Sequence, residues 1–235
     1  MTRTTVIAGV GPGLGESLAR RFAEEGCEVA LLARSADYLE ELEIELNGST
    51  GGEALAIPTD ISDRDAVEEA FGAVREAFGP VDVLVNHASA ASWQGLLDAS
   101  AEDFRRALAV NVEGAFHCSQ EAVADMVDGD GGTVIFTGAT TSRRGREGAV
   151  GFSAAKFGAR GLAESMAREL GPEGVHVAHV VIDGQIRPPD GPAPDRPEHE
   201  YLDPDAIAEE YWHLVQQDRS TWTLELDLRP HVEEF

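Results

Sequence analysis

The chain has 235 residues, 43% of them hydrophobic, enough for one large core. It carries 43 acidic residues against 18 Lys and Arg, a formal net charge of −25, so nucleic acid and anionic membrane surfaces would both repel it. No stretch approaches the roughly 18 consecutive apolar residues of a membrane span, the N-terminus has no signal-peptide pattern, and two cysteines make no disulfide framework; the expectation is a cytoplasmic protein with no membrane or nucleic-acid partner.

The predicted elements alternate along the chain. Residues 4–8 form a short β-branched strand, and 13–25 a helix with Leu14, Leu18 and Phe22 at helical spacing. Residues 28–32 are a second apolar strand, 38–46 a helix and 53–57 a strand. Residues 66–78 are helical, with Val67, Ala70, Phe71 and Val74 on one stripe. An apolar strand at 81–85 precedes a long helical stretch over 101–126. A strand at 133–137, a helix at 150–170 and a strand at 175–182 follow. Cys27 and Cys118 are expected inside regular elements. The proline-rich segment 187–197 reads as a loop, and 205–216 and 221–226 as a last helix and strand. Strict alternation with apolar, non-alternating strands predicts an α/β fold: one doubly wound parallel sheet of about seven strands with helices on both faces, forming a single domain over 1–235.

The acids are spread along helix faces rather than gathered in a tail. Together with the near absence of lysine, this resembles proteins of salt-accumulating microbes, whose acidic surfaces stay hydrated while salt screens their self-repulsion. Lys156 is the only lysine, all other basic residues counted being arginine. Lysine is a compact charge whose pKa can be moved, which a planar, permanently charged guanidinium cannot replace beside a sugar hydroxyl.

Gly9-Val10-Gly11-Pro12-Gly13-Leu14-Gly15 follows the first strand and opens the first helix. Glycines there permit a tight turn and let backbone approach a pyrophosphate at a helix N-terminus. A structural turn is the competing reading. The second strand ends Ala33-Arg34-Ser35, without the acid that would hold the ribose of NAD. Arg34 can instead pair with a 2′-phosphate and Ser35 can hydrogen-bond it, which favours NADP(H); Asp37, close by, keeps NAD(H) open.

The spacing Gly9-x3-Gly13-x-Gly15 resembles the loop of the short-chain dehydrogenase/reductase family, and further matches follow in order. Thr59-Asp60-Ile61 resembles the segment that receives adenine. Asn86-His87-Ala88-Ser89 resembles the segment after the fourth strand, departing at Ser89. Asn111-Val112-x-Gly114 resembles the asparagine motif of the long helix, Phe152-x3-Lys156 the Tyr-x3-Lys motif, and Asp183-Gly184-x-Ile186 the Pro-Gly segment after the sixth strand. The resemblance spans essentially the whole chain. It implies an enzyme that transfers hydride between nicotinamide and a small carbonyl, alcohol or activated double bond, and assembly as a homodimer or homotetramer through the long helices after strands four and five. It implies no metal. Gly9, Gly11, Pro12, Gly13, Leu14, Gly15, Asp60, Ile61, Asn86, His87, Ala88, Lys156, Gly184 and Ile186 would hold the cofactor with Arg34 and Ser35.

The family's reaction centre is incomplete. Lys156 and Asn111 match its lysine and asparagine, but Phe152 stands at the tyrosine position and Ala139 at the serine position. Tyr38, Tyr201 and Tyr211 all lie far along the chain from Phe152. The pattern resembles a branch in which both groups are absent together. Three readings stay open. A rearranged donor could come from Thr140, Thr141, Ser142, Ser153 or His87, with Thr141 preferred and His87 the better acid near neutrality. The substrate could need little acid help. Or the chain could be a non-catalytic NADP(H)-binding regulatory or scaffold protein. In the lid segment 187–204, an ordered loop is expected, with Arg187 and Arg196 forming ion pairs with Asp190, Asp195 or Glu198, or meeting a carboxylate. The extended, sugar-nucleotide-modifying branch is disfavoured.

Overall fold

A computed structural model of the chain describes residues 2–233. Seven strands form one parallel sheet: β1 (Thr4–Ala8), β2 (Glu28–Ala33), β3 (Ala54–Pro58), β4 (Val83–Asn86), β5 (Gly132–Ala139), β6 (Val175–Ile182) and, from the chain's end, β9 (Glu225–Leu228). Their order is β3-β2-β1-β4-β5-β6-β9. Side chains alternate across the pleat, and both faces are covered, so most positions are apolar, with Thr4, Thr5, His176 and His179 among the buried exceptions. Ile7, Val29 and Leu31 pack into one core layer, and Val6, Ala8, Ala30 and Leu32 into the other. This is the doubly wound α/β sheet expected from the alternation.

Helices α1 (Leu14–Glu24), α2 (Ala36–Ser49) and α7 (Pro204–Val215) cover the first face. Phe22 meets Trp212 edge-on, with ring centroids 5.4 Å apart. Helices α3 (Arg64–Ala77), α5 (Ala115–Asp128) and α6 (Val150–Leu170) cover the second. Asp63 caps α3, accepting from the Asp65 and Ala66 amides, and Ser100 caps α4 (Ala101–Leu108) through the Asp103 amide.

Several boundaries differ from the sequence expectation. The long helix is broken by a π-helical turn over Ala109–Gly114, which hydrophobic periodicity does not report. The last strand starts at Glu225 rather than 221, because Asp218 accepts from the Ser220 amide and winds Arg219–Thr221 into a 3-10 turn. Two unforeseen short strands, β7 (Gln185–Ile186) and β8 (Tyr201–Leu202), pair in parallel and pin the two ends of the lid segment together. Between them lie turns and no α-helix, as expected. Arg187 pairs with Glu198 and Asp203, and Arg196 with Glu200; of the partners anticipated, Glu198 alone is used. Cys27 lies in the turn between α1 and β2 rather than inside an element, since Gly26 (φ +79°) has already ended the helix; Cys118 is within α5, and both are free and buried. The expected domain reaches residues 1 and 234–235, which are outside the described residues. No helix among the described residues is long and apolar enough to cross a membrane.

Candidate functional site

The strand order reverses between β1 and β4, so the connections leaving their C-terminal ends diverge and open a crevice. Two segments meet there. The glycine loop leaves β1 with the Gly9 amide donating to the Leu32 carbonyl at 2.8 Å. The segment after β4 is laced to β1 by the His87 and Ala88 amides, which donate to the Ala8 carbonyl at 2.9 and 2.6 Å. Gly9 is demanded twice over. Its φ is +113°, and a Cβ there would stand 2.2 Å from the Ala88 nitrogen.

A cavity of about 400 Å³ occupies the crevice. Of the expected cofactor residues it is lined by Gly9, Gly11, Arg34, Ser35, Asp60, Ile61, His87 and Ala88. Val10, Leu32, Ala33, Thr59, Ser89, Ala90, Arg106 and Val110 complete it. Pro12, Gly13, Leu14, Gly15, Gly184 and Ile186 are not in its lining. Gly13 and Leu14 begin α1, where no side chain caps the helix; the Glu16 amide donates to the Gly11 carbonyl at 3.0 Å, and the Leu14 and Gly15 amides stay available to an anion. A Cβ at Gly11 or Gly13 would meet nothing within 4 Å, so open space faces the loop there.

At the β2 end, Arg34 is exposed and forms no ion pair among the described residues. The Asp60 carboxyl is held below its usual range, first by the hydroxyl and amide of Ser62 and then by Arg34 and Arg106. Arg106, on α4, was not singled out from the sequence; it lies five residues before Asn111 in a helix turn with no motif of its own.

A second, much smaller cavity is lined by Ile61, Asn86, Ala88, Asn111, Ala115, Phe136, Thr137, Lys156 and Ala159. Lys156 is 4% exposed and donates to the Thr137 carbonyl at 2.9 Å. Burial pushes its ammonium down to about 8. Asn111 stands in the π turn with its side chain fully engaged: Nδ2 donates to the Ala90 and Ala107 carbonyls at 3.0 and 2.9 Å, and Oδ1 accepts from the Ser89 hydroxyl at 3.0 Å. Ser89, the departure from the family pattern, therefore ties the post-β4 segment to the long helix.

The Phe152 ring is 8% exposed, with its centroid 5.6 Å from Lys156 Nζ and 5.2 Å from the Trp93 ring. Arg146 lies over the other ring of that pair, 5.3 Å from the Trp93 centroid. Ala139 ends β5, and its amide donates to Ser142 Oγ at 3.0 Å. The nearby hydroxyls are mostly occupied: Thr140 donates to Asp183 at 2.5 Å, and Ser153 accepts from the Arg146 amide at 3.2 Å. Thr141 is 2% exposed, and its Oγ1 is shut from both solvent and any partner among the described residues. It lines neither cavity.

Distance along the chain misled in one respect. Tyr211, on α7, reaches the centre of the site: its hydroxyl is 2.8 Å from Thr137 Oγ1, which is 3.2 Å from His87 Nδ1. No motif marks Tyr211 or Thr137. Burial, reinforced by Lys156, holds the His87 imidazole down at about 4, so it is neutral near pH 7 and cannot act there as an imidazolium acid.

The family model described as short chain dehydrogenase matches residues 3–186. Among curated proteins, a short-chain dehydrogenase/reductase from Armillaria gallica is 34% identical over 192 residues, 80% of this chain and 72% of that one. Meso-2,3-butanediol dehydrogenase from Serratia marcescens is 34% identical over 179 residues, 76% of this chain and 69% of the other. Among solved structures, an alcohol dehydrogenase from the archaeon Thermococcus sibiricus, complexed with 5-hydroxy-NADP, is similar with a TM-score of 0.90 and 30% identity, covering 100% of this chain and 99% of that one. A metagenomic short-chain oxidoreductase in complex with NADP gives a TM-score of 0.86 at 26% identity, covering 98% of each chain. With the sheet order, the crevice and these likenesses together, the chain belongs to the short-chain dehydrogenase/reductase family of oxidoreductases.

Proposed function

We propose that the protein is an NADP(H)-dependent oxidoreductase acting on a small carbonyl, alcohol or activated double bond, with an active site reorganised around Phe152 and Ala139. The observation that carries this reading is the placement of Lys156. The only lysine of the chain is buried at the crevice, without a carboxylate partner among the described residues, and with one hydrogen bond to the protein. An ammonium so placed has two further N–H groups to give, which suits ribose hydroxyls.

The residues present fit a dinucleotide. The open α1 N-terminus and the glycines would cradle the diphosphate, Asp60 and Ile61 would border adenine, and Asn86, Ala88 and Lys156 would hold the inner ribose. Gly184 and Ile186 would close over the cofactor from the β6 side. Arg34, exposed and without an ion pair among the described residues, with Ser35 beside it, is suited to a 2′-phosphate, and two solved relatives bound to NADP or a derivative support that choice over NAD(H). The bound nicotinamide would supply or accept hydride. The chain's own part is to orient: Phe152, paired with the exposed Trp93 ring, would present an apolar surface to the substrate, while Asn111 braces the loop. Phe152 has no proton to give, which favours substrates needing little acid assistance; Thr141 would serve as donor only if substrate binding unlocks it.

Residues 1–235 are read as one cofactor-binding unit, cytoplasmic, adapted to high salt and assembled as a homodimer or homotetramer through α4, α5 and α6. Phe104, Phe116 and Phe157 on these helices are 36%, 42% and 43% exposed, which suits a helix-packed interface. A second reading, a non-catalytic NADP(H)-binding regulatory or scaffold protein, draws on the closed Phe152–Trp93 pair. Titration of NADPH and NADH in high salt by nicotinamide fluorescence, followed by single-turnover assays on a carbonyl and enone panel, separates them. Tight NADPH binding with oxidation by a panel member is expected; binding without turnover favours the second reading, and no binding of either nucleotide overturns both.

A further inference from the structure

The polar chain Tyr211–Thr137–His87 runs from a fully buried phenol to two half-buried groups, in a layer where a doubly wound sheet ordinarily places apolar side chains. Tyr211 is fully buried, and Thr137 Oγ1 is the partner its hydroxyl has among the described residues. A phenol proton sealed in such a place must be donated, because a buried donor left without an acceptor loses its hydration with nothing in return. Tyr211 therefore donates to Thr137 Oγ1. The Thr137 hydroxyl accepts that bond on one of its two lone pairs, and the acceptor for its own proton among the described residues is His87 Nδ1. The reverse polarity would strand the Tyr211 proton.

His87 Nδ1 is thus an acceptor, and a neutral imidazole must then carry its proton on Nε2. That atom has no recorded protein partner, yet it is not among the polar atoms shut away from solvent, and His87 lines the larger cavity. We propose that Tyr211 and Thr137 lock His87 in the Nε2–H tautomer, so that it presents a fixed N–H donor to an oxygen of the bound dinucleotide. The role toward the dinucleotide rests on the cofactor reading above; the locked tautomer does not. His87 is then a cofactor-holding donor, and Tyr211 and Thr137 are positioning residues. Burial and the neighbouring Lys156 ammonium both disfavour a charged ring, so the donor keeps one form through neutral pH.

The test is long-range proton–nitrogen NMR on the full chain labelled with ¹⁵N-histidine, with His87→Asn assigning the signal. Wild type is expected to show a single Nε2–H tautomer between about pH 6 and 8. Tyr211→Phe should mix the two tautomers, whereas Thr137→Ser, which keeps the hydroxyl, should not. The NADPH dissociation constant of Tyr211→Phe should rise by the reciprocal of its remaining Nε2–H fraction, about twofold for an even mixture. A wild-type ring protonated on Nδ1, or a tautomer indifferent to Tyr211→Phe in a folded variant, overturns the lock. A locked tautomer with tight NADPH binding, but no shift of the Nε2 signal on binding, overturns the donor role alone. A locked tautomer in a protein that binds neither NADPH nor NADH overturns the cofactor reading, and the donor role with it.

Discussion

Lys156 Nζ stands 5.6 Å from the centroid of the Phe152 ring, one helical turn away on α6, and the ring carries no hydroxyl to set beside the ammonium. Restoring that hydroxyl should therefore restore proton delivery. Phe152→Tyr is expected to raise single-turnover carbonyl reduction by about 10²-fold or more, the usual contribution of a positioned acid. Adding Ala139→Ser should contribute less than an independent factor, because the two groups act on one oxygen. Stopped-flow NADPH oxidation at saturating substrate measures both.

The buried Lys156 ammonium is a cost to the fold. Its folded value of about 8 lies below its ordinary value, so the folded chain disfavours the charged form. The full penalty is present below pH 8 and fades as pH rises toward the unfolded value near 10.4, over which range the unfolded chain holds more protons. Lys156→Met should accordingly be more stable than wild type at pH 7, by about 2 kcal/mol after loss of the bond to Thr137. Its advantage should shrink above pH 8, and it should lose NADPH affinity. Denaturant melts at pH 7 and pH 10 check the sign.

Gly9→Ala meets both a positive φ and a backbone clash with Ala88. A destabilisation of roughly 3 kcal/mol or more is expected, since strain and overpacking combine. Chemical unfolding with and without NADPH should show it, together with loss of cofactor protection.

A net charge of −25 repels itself. Raising salt from about 0.1 M to 1 M shortens the screening length from roughly 10 to 3 Å. The melting temperature should climb steeply over that range, and more with KCl than with an equal osmolality of sucrose. A flat response would remove the salt-adapted reading.

Phe116→Asp and Phe157→Asp place charge on the exposed faces of α5 and α6. If these helices form the interface, sedimentation at high salt should shift from dimer or tetramer to monomer with the fold retained by circular dichroism.

Long periodic elements were legible from sequence because burial on one stripe or on both sheet faces leaves a direct hydrophobic signature; α6 and β6 fall on their expected residues. The glycine loop was legible because close backbone approach at Gly9 and Gly15 leaves no room for a side chain, and Gly13 holds a positive φ. The π turn was not, since one extra residue barely alters the apolar stripe on either side. Nor were β7 and β8, two residues each, held by pairing rather than composition. Tyr211 was invisible as a site residue: it comes 74 positions after Thr137, and its own pattern reads as an ordinary buried helix position.

Lysine scarcity also has an experimental meaning. Since the chain holds a single ε-amine, amine-directed chemistry on a side chain addresses the crevice and nowhere else. An acylating reagent or isotopically labelled lysine becomes a one-site reporter, and protection of that amine on adding a nucleotide would read occupancy directly, with no enzymatic turnover.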